Sequence, residues 1–278
     1  MKISPVYGEA PVLRLDGVVD DVATPLLRQR DRLGELAATF DDEHWAAPTR
    51  CDGWSVQDVI AHLASTNQFW TMSINAGAAG EPTRFLTDFD PVATPAQLVE
   101  GTRSWTPAEA LERFCRSNDR LRAAVEALDE PAWSLPAEAP PGHLAIRLVA
   151  LHALWDSWIH ERDIALPLGL EPVVQPDEIS ASLVYAAALP PVFAATNGAQ
   201  RTGALEVIAT DPDTRFVVEL AGTVTVHAGA APAGAVTLTG PAVELVEALS
   251  LRIPFAPAVD EGDRWLLGGL AEVFDQVV

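Results

Sequence analysis

Apolar residues recur with a helical period in the first part of the chain. Over residues 22–40 they fall three or four positions apart, which predicts an amphipathic helix. A second helix is predicted over residues 56–75, because Ser55 is a good N-cap and Asp58 favours the positive end of the helix. The chain is therefore expected to begin as a helical protein.

Two further helices are predicted beyond an irregular stretch. Residues 77–106 are rich in Gly and Pro and show no sustained period, so we expect a loop of the kind that often covers a site. Thr106 followed by Pro107 marks the start of a third helix, which runs to about residue 128. A fourth helix begins near His143 and ends before Pro167. Four helices with no strand among them predict a helical bundle.

The pattern changes after Gly169. One more helix is predicted over residues 176–196, and four short runs of alternating apolar and polar residues then predict an antiparallel sheet. These runs are ALEVIAT, RFVVEL, TVTVHA and AVTLTG. Helices over residues 241–251 and 263–274 complete an α+β fold. We therefore divide the chain into an N-terminal extension (1–20), a four-helix bundle (21–171) and a smaller α+β domain with an antiparallel sheet (172–278).

Composition narrows the classes of partner. The 278 residues carry a formal net charge of −21 with Lys2 as the only lysine, so no binding of nucleic acid is expected. An anionic membrane is disfavoured for the same reason, and we find no run near the roughly 18 apolar residues that span a bilayer. The N-terminus lacks a secretory signal pattern, which predicts a cytoplasmic location. Cys51 and Cys115 are then expected to be reduced and mostly buried.

Three ionisable side chains of the fourth helix form a candidate metal site. His152, Asp156 and His160 recur every four residues, so neighbours in this series share one face and lie one turn apart. Apolar residues surround them, and burying them unpaired would cost several kcal/mol. Either a metal or an internal hydrogen-bond network satisfies them, and the spacing alone leaves both open.

His62 on the second helix is a candidate third ligand. A single histidine on an apolar face is more often a hydrogen-bonded core residue, but the Asp156/His160 pair on another helix of the same bundle favours a ligand. Two imidazoles and one carboxylate are typical of catalytic zinc with an open fourth position. Iron, manganese and nickel accept the same set.

Two segments carry a resemblance to a known family. The segments TRCDGWSVQDVIAHLA and WDSWIHERDIALPLG resemble the mycothiol-dependent maleylpyruvate isomerase family, whose N-terminal domain is a DinB-like metal-binding bundle. The end of the chain is similar to the C-terminal domain of that family, which is related to sterol-carrier modules. The residues that match the two motifs are Thr49, Arg50, Gly53, Trp54, Ser55, Val56, His62, Asp156, His160 and Asp163.

The resemblance implies a set of cofactors and a chemistry. It implies Zn²⁺ or another divalent metal held by His62, Asp156 and His160, with Asp163 behind the last histidine. It also implies that mycothiol, a low-molecular-weight thiol, binds as a thiolate and attacks a small electrophilic substrate. Arg252 resembles an arginine that the family uses near the substrate, where a guanidinium suits a dicarboxylate.

One departure from the family pattern affects the predicted set of metal ligands. The second ligand is typically glutamate, and Asp156 is one methylene shorter, which makes His152 a candidate additional ligand. The leading hypothesis is a metal-dependent, thiol-using isomerase or transferase. The alternatives are a hydrolase or Lewis-acid enzyme that uses the metal without a thiol, and a non-enzymatic ligand-binding protein with a structural ion.

Overall fold

The structure is a computed structural model that describes residues 4–8, 10–196, 201–254 and 259–274. The two ends of the predicted domain division, residues 1 and 278, lie outside these ranges. The helices are α1 (Ala23–Ala37), α2 (Asp42–Ala46), α3 (Val56–Ala78), α4 (Ala93–Glu100), α5 (Pro107–Glu126), α6 (Ile146–Ala165), α7 (Pro176–Thr196), α8 (Ala242–Leu249) and α9 (Trp265–Val273). The strands are β1 (Leu13–Asp16), β2 (Pro136–Ala139), β3 (Gly142–Ala145), β4 (Thr202–Thr210), β5 (Thr214–Ala221), β6 (Thr223–His227) and β7 (Val236–Pro241).

The four long helices α1, α3, α5 and α6 form the predicted bundle, in which α1 and α3 each pack against both α5 and α6. Local sequence explains where two of them begin. Ser55 and Asp58 form a reciprocal capping box at the start of α3, and Thr106 and Glu109 form one at the start of α5. The first of these caps fixes the start of the helix that carries His62.

The predicted loop over residues 77–106 is wrong in part. It contains the helix α4 and a short 3₁₀ turn, Leu86–Asp88. Val99 is the one buried residue of α4, so the helix has no apolar stripe that the sequence pattern could reveal. The helix α2, which buries only Trp45, was missed for the same reason.

The bundle also contains a small strand pair, which the sequence pattern did not predict. β2 and β3 form an antiparallel hairpin, so residues 142–145, assigned above to the start of the fourth helix, are a strand. Gly142 lies at φ 127°, and a Cβ there would meet the carbonyl oxygen of Val6 at 2.0 Å. Only glycine therefore allows the backbone of Val6 to come this close to residue 142. This contact holds the N-terminal segment against the hairpin.

The second half of the chain forms the predicted α+β part. Its sheet has the order β1-β6-β5-β4-β7. The pairs β4/β5 and β5/β6 are antiparallel as predicted, whereas β1 and β7 join the two edges in parallel. β1 belongs to the segment predicted as an extension, so residues 13–16 of that segment lie in the sheet.

Helix α7 lies between the bundle and the sheet. It packs against α6 on one side and against β5 and β6 on the other, and one continuous cluster of buried apolar residues includes Leu151, Leu183 and Val218. This helix is long and apolar enough to span a membrane by length and composition, which the sequence pattern did not reveal. However, 89% of its most apolar stretch is buried inside the protein, as in the core helix of a globular fold.

Candidate metal and active site

The structure brings together the three side chains predicted to bind a metal. His62 comes from α3, and Asp156 and His160 come from adjacent turns of α6. The Oδ1 atom of Asp156 lies 3.9 Å from Nε2 of His62 and 3.5 Å from Nε2 of His160. The three potential ligand atoms all lie within 4.8 Å of one another.

The donor set fits a small divalent cation. Tetrahedral zinc with bonds of about 2.0–2.2 Å holds its ligand atoms about 3.4 Å apart. The ligand atoms of this group are separated by 3.5 Å, 3.9 Å and at most 4.8 Å, so closing them around an ion needs side-chain shifts of about 1 Å or less at each ligand. Among the described residues, the Oδ2 atom of Asp156 is buried without a hydrogen-bond partner. A buried carboxylate oxygen in this state is costly, and a cation beside it would remove the cost.

Asp163 orients His160. Its Oδ2 atom accepts a hydrogen bond of 3.0 Å from Nδ1 of His160, which turns Nε2 of the same ring towards Asp156. A carboxylate behind a metal-binding histidine fixes the tautomer and raises the basicity of the ligand in this way. The trailing acid of the second motif is therefore in place for that role.

Two arginines converge on Asp163, which is fully buried. Arg252 donates from Nε and Nη2 at 2.9 and 2.8 Å, and Arg50 donates from Nε at 3.0 Å. Arg50 also bonds Glu247 of α8 at 3.1 Å. Arg50 thus links Asp163 to α8, and Arg252 is connected to the predicted ligand His160 through Asp163.

The site perturbs the pKa values of its members. Burial lowers the pKa of His62, and Asp156 only partly offsets this. Burial alone would raise the pKa of Asp156, but the two neighbouring imidazoles outweigh it and hold the carboxylate ionised. Burial likewise disfavours charge on His160, yet Cys51, Asp163 and Asp156 together raise its pKa. Without a metal, the site therefore favours an imidazolium at His160.

His152 is in a different environment from the other two histidines of the site. Its Nδ1 atom is 2.7 Å from the hydroxyl of Tyr185 on α7, and its ring packs against Trp70 and Trp155. Burial lowers its pKa to about 4, so the ring is neutral at neutral pH. The groups of described residues whose ligand atoms lie close enough for one ion do not include His152.

Cys51 was missed as a site residue. It is half-buried rather than buried, its thiol donates to Oδ2 of Asp163 at 3.2 Å, and its sulfur is 3.5 Å from Nδ1 of His160. Cys51, His160 and Asp163 form a second group close enough to hold an ion, but the guanidiniums on Asp163 disfavour a cation there. Its place directly after the matched Arg50 was the available signal. Cys115 is exposed, contrary to the expectation that both thiols are mostly buried.

An open cavity of about 890 Å³ lies beside this region. Cys51 and Trp54 line it, and both also contact predicted ligands. The Cys51 sulfur lies 3.5 Å from Nδ1 of His160, and the Trp54 ring lies 5.2 Å from the ring of His62. The residues that line the cavity do not include His62, Asp156 or His160.

Known proteins share this architecture. The family described as the mycothiol maleylpyruvate isomerase N-terminal domain matches residues 26–165, half of the chain. The chain belongs to this family. The stretch that matches the mycothiol maleylpyruvate isomerase family contains most of α1 and all of α2 to α6, and hence all three predicted ligands.

Solved and curated relatives extend the comparison. Two crystal structures of a mycothiol-dependent maleylpyruvate isomerase, one of a histidine-to-alanine mutant, superpose with TM-scores of 0.58 and 0.57 at 17% identity. The alignment covers 84% of this chain and 88% of theirs, which establishes a shared fold across bundle and sheet. An uncharacterised protein found in two strains of Mycobacterium tuberculosis is 27% identical over 157 residues, 52% of this chain. The chain spans about half the length, 55%, of these curated relatives.

Proposed function

We propose that the protein is a metal-dependent enzyme, an isomerase or transferase, that uses mycothiol or a similar small thiol on a small electrophilic substrate in the cytosol. The observation that carries the proposal is the buried His62/Asp156/His160 group, with its orphaned carboxylate oxygen, in a member of the mycothiol maleylpyruvate isomerase family. Two imidazoles and a carboxylate leave a fourth position for an exogenous ligand.

Each residue of the site has a separate role in the proposed reaction. Bound by His62, Asp156 and His160, zinc would lower the pKa of a thiol and so supply a thiolate near neutral pH. Asp163 keeps a proton on Nδ1 of His160 and thereby leaves Nε2 free as a donor atom. The ring of Trp54 packs beside His62, with ring centroids 5.2 Å apart, and helps to hold the imidazole in place.

Arg252 is the proposed contact for the substrate. Its hydrogen bonds to Asp163 and to the carbonyl of Ser250 use three of the five N–H groups of a guanidinium. The remaining N–H groups can bind a carboxylate of the substrate while Asp163 holds the side chain in place. A dicarboxylate such as the substrate named for the structural relatives suits this arrangement.

Metal content tests the first half of the proposal. Purified wild-type protein is expected to hold about one equivalent of zinc or a related ion, and His62→Ala to lose most of it. His44→Ala is the matched control, because the His44 side chain is 42% exposed and its ring contacts Asp41 and Phe40 rather than the predicted ligands. A metal-free wild type, or equal occupancy in the His62 variant, would overturn the proposal.

Thiol dependence tests the second half. Conversion of an activated cis-alkene such as maleylpyruvate is expected with mycothiol present and absent without it. Activity that depends on the metal but not on the thiol would instead select a hydrolase or Lewis-acid enzyme.

A further inference from the structure

Arg30 on α1 is a buried cation without a direct counter-ion. Its side chain is 1% exposed, and no carboxylate of the described residues lies within 4.0 Å of its guanidinium. Arginine is almost never this buried unless it is paired. Burial lowers its pKa to about 10, so the group still carries its charge at neutral pH.

The neighbouring arginines of the same helix show the contrast. Arg28 pairs with Asp177 and Glu178, and Arg32 pairs with Glu161 and Glu178. Asp177 and Glu178 lie at the start of α7, and Glu161 lies near the end of α6. Arg30 lies between them in sequence but points into the bundle, so its isolation does not come from a shortage of acids on the protein.

Neutral partners hold Arg30 between the two helices that carry the predicted ligands. Nε donates to Oδ1 of Asn67 on α3 at 3.0 Å, and Nη2 donates to the carbonyl of Ala153 on α6 at 3.1 Å. Nη1 donates to Gln29 at 3.2 Å. Asn67 is in turn fixed by Ser117 and Asn118 of α5, so the guanidinium cannot move to another partner without breaking a buried network.

The charge of Arg30 acts on the candidate metal site. Asp156 follows Ala153 by less than one turn of α6, and it is the carboxylate whose Oδ2 atom has no hydrogen-bond partner among the described residues. Glu161 is the other acid in range, and Arg32 and Gln29 already bond it. Arg30 therefore adds a positive charge to a site in which the neighbouring imidazoles already hold Asp156 ionised.

The net charge of the site changes when a divalent cation binds. The cation and Asp156 together carry one positive charge, and Arg30 adds a second in a site whose histidines are neutral as ligands. A buried excess of positive charge is relieved by an anion in the open position. We propose that Arg30 is a positioning residue that makes the metal centre prefer an anionic fourth ligand, such as a thiolate, over a neutral one. This inference rests on the proposed function.

Cobalt-substituted protein allows the preference to be measured without turnover. The visible spectrum of bound Co²⁺ reports its ligands, so azide, an anion, and imidazole, a neutral ligand at pH 8, can each be titrated. Arg30→Met is expected to weaken azide binding about tenfold, the effect of a unit charge roughly 10 Å away at an effective dielectric of about 20. Imidazole binding should change less than about twofold, because a neutral ligand does not sense the charge.

Two further variants separate charge from packing. Arg30→Lys keeps the charge and should bind azide within about threefold of wild type, whereas Asn67→Asp places a carboxylate on Nε of Arg30 and should weaken azide as Arg30→Met does. Arg122→Met, which removes an arginine on the outer face of α5, is the control and should leave both titrations unchanged. Circular dichroism establishes whether each variant is folded. If Arg30→Met does not fold, the azide affinity of Asn67→Asp tests the effect of the Arg30 charge.

The outcomes are distinct. Unchanged azide affinity in Arg30→Met and Asn67→Asp overturns the role of Arg30 and leaves the proposed function standing. Equal weakening of azide and imidazole also overturns it, because it indicates a structural role alone. Failure of the wild type to bind Co²⁺ overturns both this inference and the proposed function.

Discussion

Replacing Asp163 by asparagine tests how the site is held together. The carboxylate accepts from Nδ1 of His160 at 3.0 Å and from Arg50 and Arg252 at 2.8–3.0 Å, with no exposure to solvent. An asparagine side chain at this position would keep the shape but lose the charge, and its amide nitrogen would replace one of the two accepting oxygens by a group that donates. The substitution Asp163→Asn therefore removes the partner of two guanidiniums at once.

The expected cost follows from burial. Removing one partner of a buried ion pair costs about 3–5 kcal/mol. Arg50 and Arg252 are 20% and 25% exposed and regain some solvation, so we expect the lower end, about 3 kcal/mol, in the free energy of unfolding. Metal affinity should fall about 10–100-fold, because His160 loses the acceptor that fixes its tautomer.

Urea unfolding of the metal-free protein and competition with a chromophoric chelator measure the two effects. Asp177→Asn is the matched control, since Asp177 pairs with Arg28 at a 51% exposed position and should cost less than about 1 kcal/mol. Suppose Asp163→Asn loses no more stability than this control and binds metal as wild type does. The assigned role of Asp163 would then be refuted.

Three further predictions address protonation and helix capping. Because the pKa of His160 is raised, binding of zinc at pH 7.5 should release about one proton, seen by calorimetry in buffers of different ionisation enthalpy; no buffer dependence would contradict this. His152 has its pKa lowered from 6.5 to about 4, so its neutral form stabilises the fold above pH 6.5 and this contribution is lost as the pH falls towards 4. Between pH 7 and pH 4, the free energy of unfolding in urea should therefore fall by about 3 kcal/mol more for the wild type than for His152→Gln. Parallel pH profiles of the two proteins would exclude this role of His152. Ser55→Ala should cost about 1 kcal/mol, measured in the same way, because it removes the capping box of α3; an unchanged midpoint would show that the cap is dispensable.

The sequence predicted those features that are periodic or local. The four-residue spacing on α6 placed Asp156 and His160 on one face, and the caps at Ser55 and Thr106 located the starts of α3 and α5. Each of these features depends only on residues within a few positions of one another. The strands β4 to β7 were found for the same reason, since they alternate over their own length.

Contacts between distant residues were not predictable in this way. Asp163 and Arg252 are 89 residues apart, and only the fold shows that they pair. Arg30 lies in a helix rich in arginine, where the sequence favours exposure for each, so its burial depends on the helices that surround it. The hairpin of β2 and β3 was hidden by its prolines, which also mark a break between helices.

The first strand of the chain has a consequence for synthesis. β1 occupies the sheet edge beside β6, so Leu13 pairs with Val224 across about 200 residues of intervening chain. At about 5–20 residues per second, a ribosome needs roughly 10–40 s to make that length. The bundle that holds His62 and His160 is synthesised during this interval, and β1 remains without its partner strand until β6 has been made. Until β6 emerges from the ribosome, β1 is therefore an unpaired strand that must be kept from pairing with other chains.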